Sequence, residues 1–191
     1  MHKIRLFNSR MKTIFRTYQF ELQPTQEQKV LLDKHFGCIR YVYNHFLNER
    51  KEQYQADKKS DNYYKQAATL TELKKKEGTA WLKEVNSQSL QFALRCLDTA
   101  YVNFFRGNAK FPRFKSRKKK NSFTVPQFAK LEDSRFFAPK FKEGIKVNVH
   151  REVKGEIGKC TLSKTPTGKY FVSILSEEQY QPKEKTGAVC G

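Results

Sequence analysis

From Lys12 to Leu22 (KTIFRTYQFEL) the side chains alternate, with Ile14, Arg16, Tyr18, Phe20 and Leu22 on one face and Thr13, Phe15, Thr17, Gln19 and Glu21 on the other. That period of two predicts a β-strand. Pro24 ends it, and Thr25-Gln26-Glu27-Gln28 follows. In this capping-box pattern Thr25 caps the amide three residues on while Gln28 reaches back. The apolar positions Leu32, Phe36, Ile39, Val42, Tyr43, Phe46 and Leu47 then recur at three and four. They predict one long helix with a single core-facing stripe, reaching to Tyr54, in which Gly37 implies close packing. The polar stretch Gln55 to Asn62 reads as a loop and Tyr63 to Lys76 as a second helix ending before Gly78, with Trp81 and Leu82 plugging the core beneath the connection. Asn86 or Ser87 caps a third helix, where Leu90, Ala93, Leu94, Leu97, Ala100, Tyr101, Phe104 and Phe105 repeat the helical spacing. Beyond Asn121 the period returns to two, in Ile145, Val147 and Val149 and again in Tyr170, Val172 and Ile174, with Pro, Gly and Asp as turns.

The order of strand, helical block and further strands gives an α+β chain: residues 25–105 form a helical unit and residues 121–178 a small antiparallel β unit. The first strand is expected to join the later sheet, which makes the helices an insertion between neighbouring β elements.

Charge changes the picture at the junction. In Arg106 to Lys120 (RGNAKFPRFKSRKKK) eight of fifteen side chains are cationic and none is acidic, with Phe111 and Phe114 set among them. Such a run cannot bury itself, so it is either a solvated tail or a surface for a polyanion whose bases stack on the aromatic faces. The whole chain carries 38 Lys and Arg against 19 Asp and Glu over 191 residues, a formal charge of +19. The excess is uneven: 18 bases face 11 acids in residues 1–100, and 20 face 8 in the remainder. Excess of this size costs folding stability, and a nucleic-acid partner is the simplest reason to keep it.

Other classes find less support. No apolar run of about 18 residues, no signal-peptide core and no basic helix with a broad oily face occurs, which predicts a soluble, cytoplasmic protein with no membrane partner. Cys38, Cys96, Cys160 and Cys190 are isolated and read as buried free thiols, and His35, His45 and His150 as packing or surface residues, so no metal site is expected.

Four landmarks in order carry a resemblance. Gly37-Cys38-Ile39-Arg40-Tyr41-Val42-Tyr43-Asn44-His45-Phe46-Leu47, Trp81-Leu82-Lys83-Glu84-Val85, Ala100-Tyr101-Val102-Asn103-Phe104-Phe105-Arg106 and Phe111-Pro112-Arg113-Phe114-Lys115 resemble the N-terminal part of the TnpB (OrfB-type) proteins of insertion sequences. Full-length members are RNA-guided DNA endonucleases, earlier described as transposases and ancestral to type V CRISPR effectors. The resemblance implies a wedge-like β-barrel made of the first strand (residues 12–23) and residues 106–180, with residues 24–105 inserted as a recognition lobe. It further implies that residues 1–11 are a leader, Met11 being the family's usual start, and that residues 181–191 open the RuvC-like nuclease domain. The catalytic carboxylates, Mg²⁺ and the zinc ribbon belong to that domain. None of the 19 acids matches the catalytic set, so no cleavage is expected of this chain alone. The implied partners are a guide RNA from the transposon end, double-stranded target DNA and the nuclease lobe itself, in a bacterial or archaeal cell and associated with the nucleoid.

Chemistry ranks the candidates. Arg106, Lys110, Arg113, Lys115, Arg117, Lys118, Lys119 and Lys120 suit backbone phosphates, which position a partner without reading its sequence. Phe111 and Phe114 either stack on bases or anchor the loop in the core. Arg40 and Asn44 on the first helix suit phosphate or base-edge contact, whereas Tyr43 falls in the apolar stripe. By resemblance, Tyr63, Ser87, Gln88 and Gln91 face the short DNA motif beside the target, and Gln pairs bidentately with adenine. A stand-alone helix-turn-helix regulator and a structural RNA-binding protein of ribosomal type share the charge but not the ordered landmarks.

Overall fold

The computed structural model describes residues 11–118 and 121–180. The elements run β1 (Lys12–Gln23), α1 (Gln26–Asp57), α2 (Tyr63–Leu73), a 3₁₀ helix (Glu77–Glu84), α3 (Ser87–Phe105), β2 (Asn121–Val125), β3 (Lys130–Glu132), β4 (Arg135–Ala138), β5 (Phe141–Asn148), β6 (Glu156–Lys164) and β7 (Tyr170–Tyr180). The leader and the segment after Tyr180 lie outside the described residues, apart from Met11.

All strands join one antiparallel sheet in the order β2-β6-β7-β1-β5-β4-β3. β1 therefore lies between β7 and β5, paired from Lys12↔Tyr180 to Leu22↔Tyr170 on one side and at Glu21↔Asn148 to Gln23↔Lys146 on the other. The chain leaves the sheet at the end of β1, folds its helices and returns at β2.

The sheet curls without closing. His35 of α1 stacks on Phe123 of β2 with ring centroids 4.8 Å apart and meets Phe141 of β5 at 5.2 Å. β2 and β5 are four strands apart, which in a flat sheet is about 19 Å, so only strong curvature brings both rings to one imidazole. The expected hydrogen-bonded barrel is not formed. β2 and β3 remain the two edges, and the three-residue β3 is too short to pair across the gap.

The helices follow their local signals. At Thr25 both arms of the capping box form, Gln28 N–H to Thr25 Oγ1 at 3.3 Å and Thr25 N–H to Gln28 Oε1 at 3.1 Å. Gln28 Nε2 also donates to the carbonyl of Gly144 at 3.0 Å, which fixes the start of α1 against β5. Asn86 caps α3. The buried stripe of α1, Leu32 through Leu47, meets Leu90, Leu94 and Leu97 of α3 in a core continuous with the sheet. α1 runs three residues past Tyr54, and α2 stops at Leu73, short of Lys76.

Five readings are corrected. Cys38 and Cys160 are buried thiols as expected, but Cys96 is exposed, and Cys190 lies outside the described residues. Leu82 plugs the core, but Trp81 stays at the surface, its Nε1 donating to Gly78 O at 3.0 Å and its ring edge-on to Tyr41. Val149 lies beyond the end of β5 and is exposed. Phe105 leaves the apolar stripe of α3 for solvent. A Cβ built on Gly37 meets no atom within 4 Å, so close packing is not the reason for that glycine. The close approach occurs instead at Gly155, at φ +77°, where a Cβ would lie 2.1 Å from Glu177 O.

Candidate nucleic-acid interface

α3 ends where Gly107 takes φ +74°, the left-handed residue that typically stops a helix, with its N–H bonded to Phe104 O at 2.9 Å. From there the basic segment leaves the helix as irregular chain. Phe111 packs edge-on against Tyr101 at 5.6 Å and Phe104 at 5.3 Å, and Pro112 is buried. Four residues on, Asn44 of α1 grips the backbone of Lys115 from both sides: its Oδ1 accepts the amide at 2.7 Å and its Nδ2 donates to the carbonyl at 3.0 Å. The chain then passes Ile39 and Phe36 and reaches a cleft beside Asp33.

Residues 111–118 thus run antiparallel to α1 as a strap. Residues 111–116 lie along the helix as irregular chain, and Arg117 and Lys118 turn towards β2. The strap presents its cations outward. Arg106, Lys110, Arg113, Arg117 and Lys118 are exposed and form no ion pair among the described residues. Lys119 and Lys120 lie outside the described residues.

The sequence candidates separate on this frame. Lys115 is exposed as a residue, but its ammonium sits 4.4 Å from the centroid of the Tyr43 ring, and desolvation there lowers its pKa. Its ammonium helps to lock the strap against α1. Asn44 commits one amide donor and one acceptor site to that lock and so positions the strap. Phe111, 43% exposed, is held by two rings as an anchor, whereas Phe114, 53% exposed, has no ring partner among the described residues and lines a smaller opening, about 220 Å³, beside Ile39 and Arg40. Of the two aromatics, Phe114 is the one free to stack.

The cleft, about 490 Å³, lies between α1, the strap and the end of β6, and its lining includes Arg40, Arg117, Lys118 and Lys164. Arg40 Nη1 donates to Asn121 Oδ1 at 3.2 Å, which aims the guanidinium along the strap. Lys164 was not legible as a candidate. Its ammonium bonds both carboxylate oxygens of Asp33, at 2.9 and 3.0 Å, across 131 residues of sequence, and its hydrogen bond to Tyr170, with a smaller contribution from Asp33, raises its pKa. Three basic elements therefore converge on one opening that holds a single carboxylate, Asp33.

The second candidate set occupies the other end of α3. Ser87 and Gln91 are exposed, and Ser87 Oγ accepts from Lys74 Nζ at 3.2 Å. Gln88 is half-buried, its Oε1 enclosed without a hydrogen-bond partner among the described residues. Tyr63 opens α2, and the Arg95 guanidinium lies 5.1 Å from its ring centroid. Arg95, four residues past Gln91 on the same helical face, is an exposed cation that sequence reasoning passed over. Gln91 and Arg106 are about 22 Å apart along α3, so the two sets are distinct surfaces.

Among the described residues no three His, Cys, Asp or Glu side chains come together as a metal site, and no helix is long and apolar enough to cross a membrane.

A strap of cations locked along a helix that an insertion carries out of a β-sheet defines an α+β chain with a fixed basic surface suited to a polyanion. Residues 11–59 match the family profile described as Helix-turn-helix domain, of the OrfB insertion-sequence type. In this chain the matched residues form one strand and one uninterrupted helix. The chain is 36% identical over 186 residues to a Streptomyces pristinaespiralis protein provisionally named RNA-guided DNA endonuclease, covering 95% of this chain and 46% of that protein. It is 38% identical over 164 residues to InsQ of Escherichia coli K12, which bears the same provisional description, covering 85% of this chain and 40% of InsQ. It is also 36% identical to the Salmonella dublin virulence protein VsdF over 105 residues, half of this chain and 88% of VsdF. The chain belongs to the OrfB (TnpB-like) insertion-sequence family and corresponds to the N-terminal part of its endonuclease members, spanning less than half the length of the first two relatives.

Proposed function

We propose that this chain is the nucleic-acid-binding portion of a transposon-encoded, RNA-guided DNA endonuclease. The strap and its cleft hold the guide RNA, while Tyr63, Ser87, Gln88 and Gln91 face the target-adjacent motif of double-stranded DNA. Cutting, with its carboxylates, Mg²⁺ and zinc, belongs to a nuclease lobe that docks on this portion, and the complex works in the cytoplasm on nucleoid DNA.

The observation that carries this reading is the Asn44–Lys115 lock. A run of like charges left to itself spreads into solvent. Here the fold holds one against a helix, with its free cations turned outward and Arg40 and Lys164 brought to its end. Fixed cations in a row favour a polyanion because the repulsion is already overcome before binding. Arg40 and Lys164 come from elements with no local basic run, so solvated-tail behaviour does not account for them.

The test is competition binding of the purified chain to RNA transcribed from the transposon end beside its own gene, against an unrelated RNA of equal length and a matched DNA duplex. The reading expects preference for the cognate RNA that survives raised salt. Equal, salt-labile binding to all three overturns it, and tight binding to one duplex without RNA favours the regulator instead.

A further inference from the structure

At the opposite end of the strap from the cleft lies an aromatic pocket of about 340 Å³ between the C-terminal ends of α1 and α3, lined by Tyr54, Tyr101, Phe104, Phe105, Phe111 and Lys51, with Arg50 and the loop after α1 completing it. We propose that this pocket takes one unstacked base of a single-stranded RNA whose backbone follows the strap. The inference rests on the reading of the strap as an RNA track and adds to it a site for a base.

Three observations favour a base over an apolar segment of protein. The volume lies at the small end of small-molecule pockets, about 300–1,000 Å³, which suits one flat ring system and not a docked helix. The lining combines rings with the cations Arg50 and Lys51 and contains no acid. Arg106 and Lys110 stand in sequence between the two rim rings, Phe105 and Phe111. Arg50 is already paired with Asp98 at 2.7 Å, but Lys51, Arg106 and Lys110 have no ion-pair partner among the described residues. A nucleotide supplies both a face for the rings and a charge for these three, which an apolar peptide would leave unmatched. Beneath the rings, Arg50 and Tyr101 are 2% and 6% exposed, and Arg50 Nε and the Tyr101 hydroxyl have no hydrogen-bond partner among the described residues. A base edge carries acceptors for such donors, and an aliphatic side chain carries none.

The rings are set for stacking. Phe105 is 66% exposed and lies nearly parallel to Tyr101, at 26° and 6.2 Å, while Phe111 and Tyr54 stand partly open on either side. Continuity with the strap is covalent, because Phe111 is its first residue. A single strand lying along the strap thus starts at the pocket, passes Phe114 and reaches the cleft at Arg117 and Lys118.

The experiment uses a fluorescein-labelled oligouridine of about twelve nucleotides, read by anisotropy, with labelled heparin as a polyanion that has no bases. Phe105→Ala is expected to weaken oligouridine binding roughly 5- to 150-fold, the loss of one stacked base, with heparin affinity and salt slope unchanged. Phe105→Trp restores binding. Phe105 is mostly exposed, so the variant folds, and its unaltered melting curve is the check. Wild-type affinity of Phe105→Ala for oligouridine overturns the pocket while leaving the strap intact, and so does an equal loss on heparin. A change in oligomeric state with RNA affinity unchanged assigns the pocket to a protein partner and also overturns it. Failure of the wild-type chain to bind oligouridine removes the track itself.

Discussion

His35 holds three parts of the molecule together in the neutral state, and acid should release them. Its Nδ1 donates to Leu31 O at 2.8 Å and its Nε2 accepts the Asn86 amide at 3.2 Å, while its ring lies between Phe123 and Phe141. The imidazole is fully buried. Burial lowers its pKa from 6.5 to about 4, the Leu31 carbonyl opposes the shift and nearby Lys140 adds to it. A proton on Nε2 would also turn the acceptor for Asn86 into a donor facing a donor. The sign follows from the depressed value: the unfolded chain takes up the proton first, so stability is complete above pH 6.5 and drains away as pH falls towards 4. Between about pH 7.5 and about pH 5 the loss from this one group is about 2 kcal/mol, rising to about 3 below the folded pKa. Urea unfolding followed by circular dichroism measures it, as the difference in pH dependence between wild type and His35→Gln, which titrates at no pH in this window. Equal pH dependence in the two proteins refutes the argument. So does an NMR titration of His35 with a midpoint near its ordinary value.

Asn44→Ala removes both hydrogen bonds to the Lys115 backbone. At about 1 kcal/mol for each bond it should weaken RNA binding roughly 5- to 30-fold while moving the melting temperature little. Gly37→Ala should stabilise the chain by about 0.5–1 kcal/mol in chemical denaturation, because the helix gains a better former and the added methyl meets nothing. Asp33→Asn removes the carboxylate that occupies Lys164. It should tighten RNA binding and steepen the salt slope by about 0.7, one further phosphate contact on a single strand, and weaker binding would contradict this.

What the sequence made legible was local. The Thr25 cap, the α1 stripe and the alternation in β1, β5 and β7 each follow from neighbours within a few residues. The basic run was visible as charge, but its course was not, because the lock depends on Asn44 meeting a backbone 71 residues away. For the same reason Lys164 and Asp33 escaped notice, and so did the buried pair Arg50 and Asp98, at 2.7 Å between α1 and α3. Phe111 and Phe114 look alike in sequence. Only the arrangement of Tyr101 and Phe104 makes one an anchor and leaves the other free. The curl of the sheet was within reach of family resemblance, but whether its edges meet depends on strand lengths that periodicity does not set.

The central claim is that the strap is a binding surface and not a solvated tail, and the salt dependence of RNA binding tests it most directly. Wild type and the combined variant Arg40→Ala, Arg113→Ala, Arg117→Ala, Lys118→Ala would be titrated with cognate RNA across a range of salt concentrations. The variant should lose about 0.7 of log-log slope for each cation removed, close to 3 for the set. An unchanged slope would place the RNA on another surface and contradict the account.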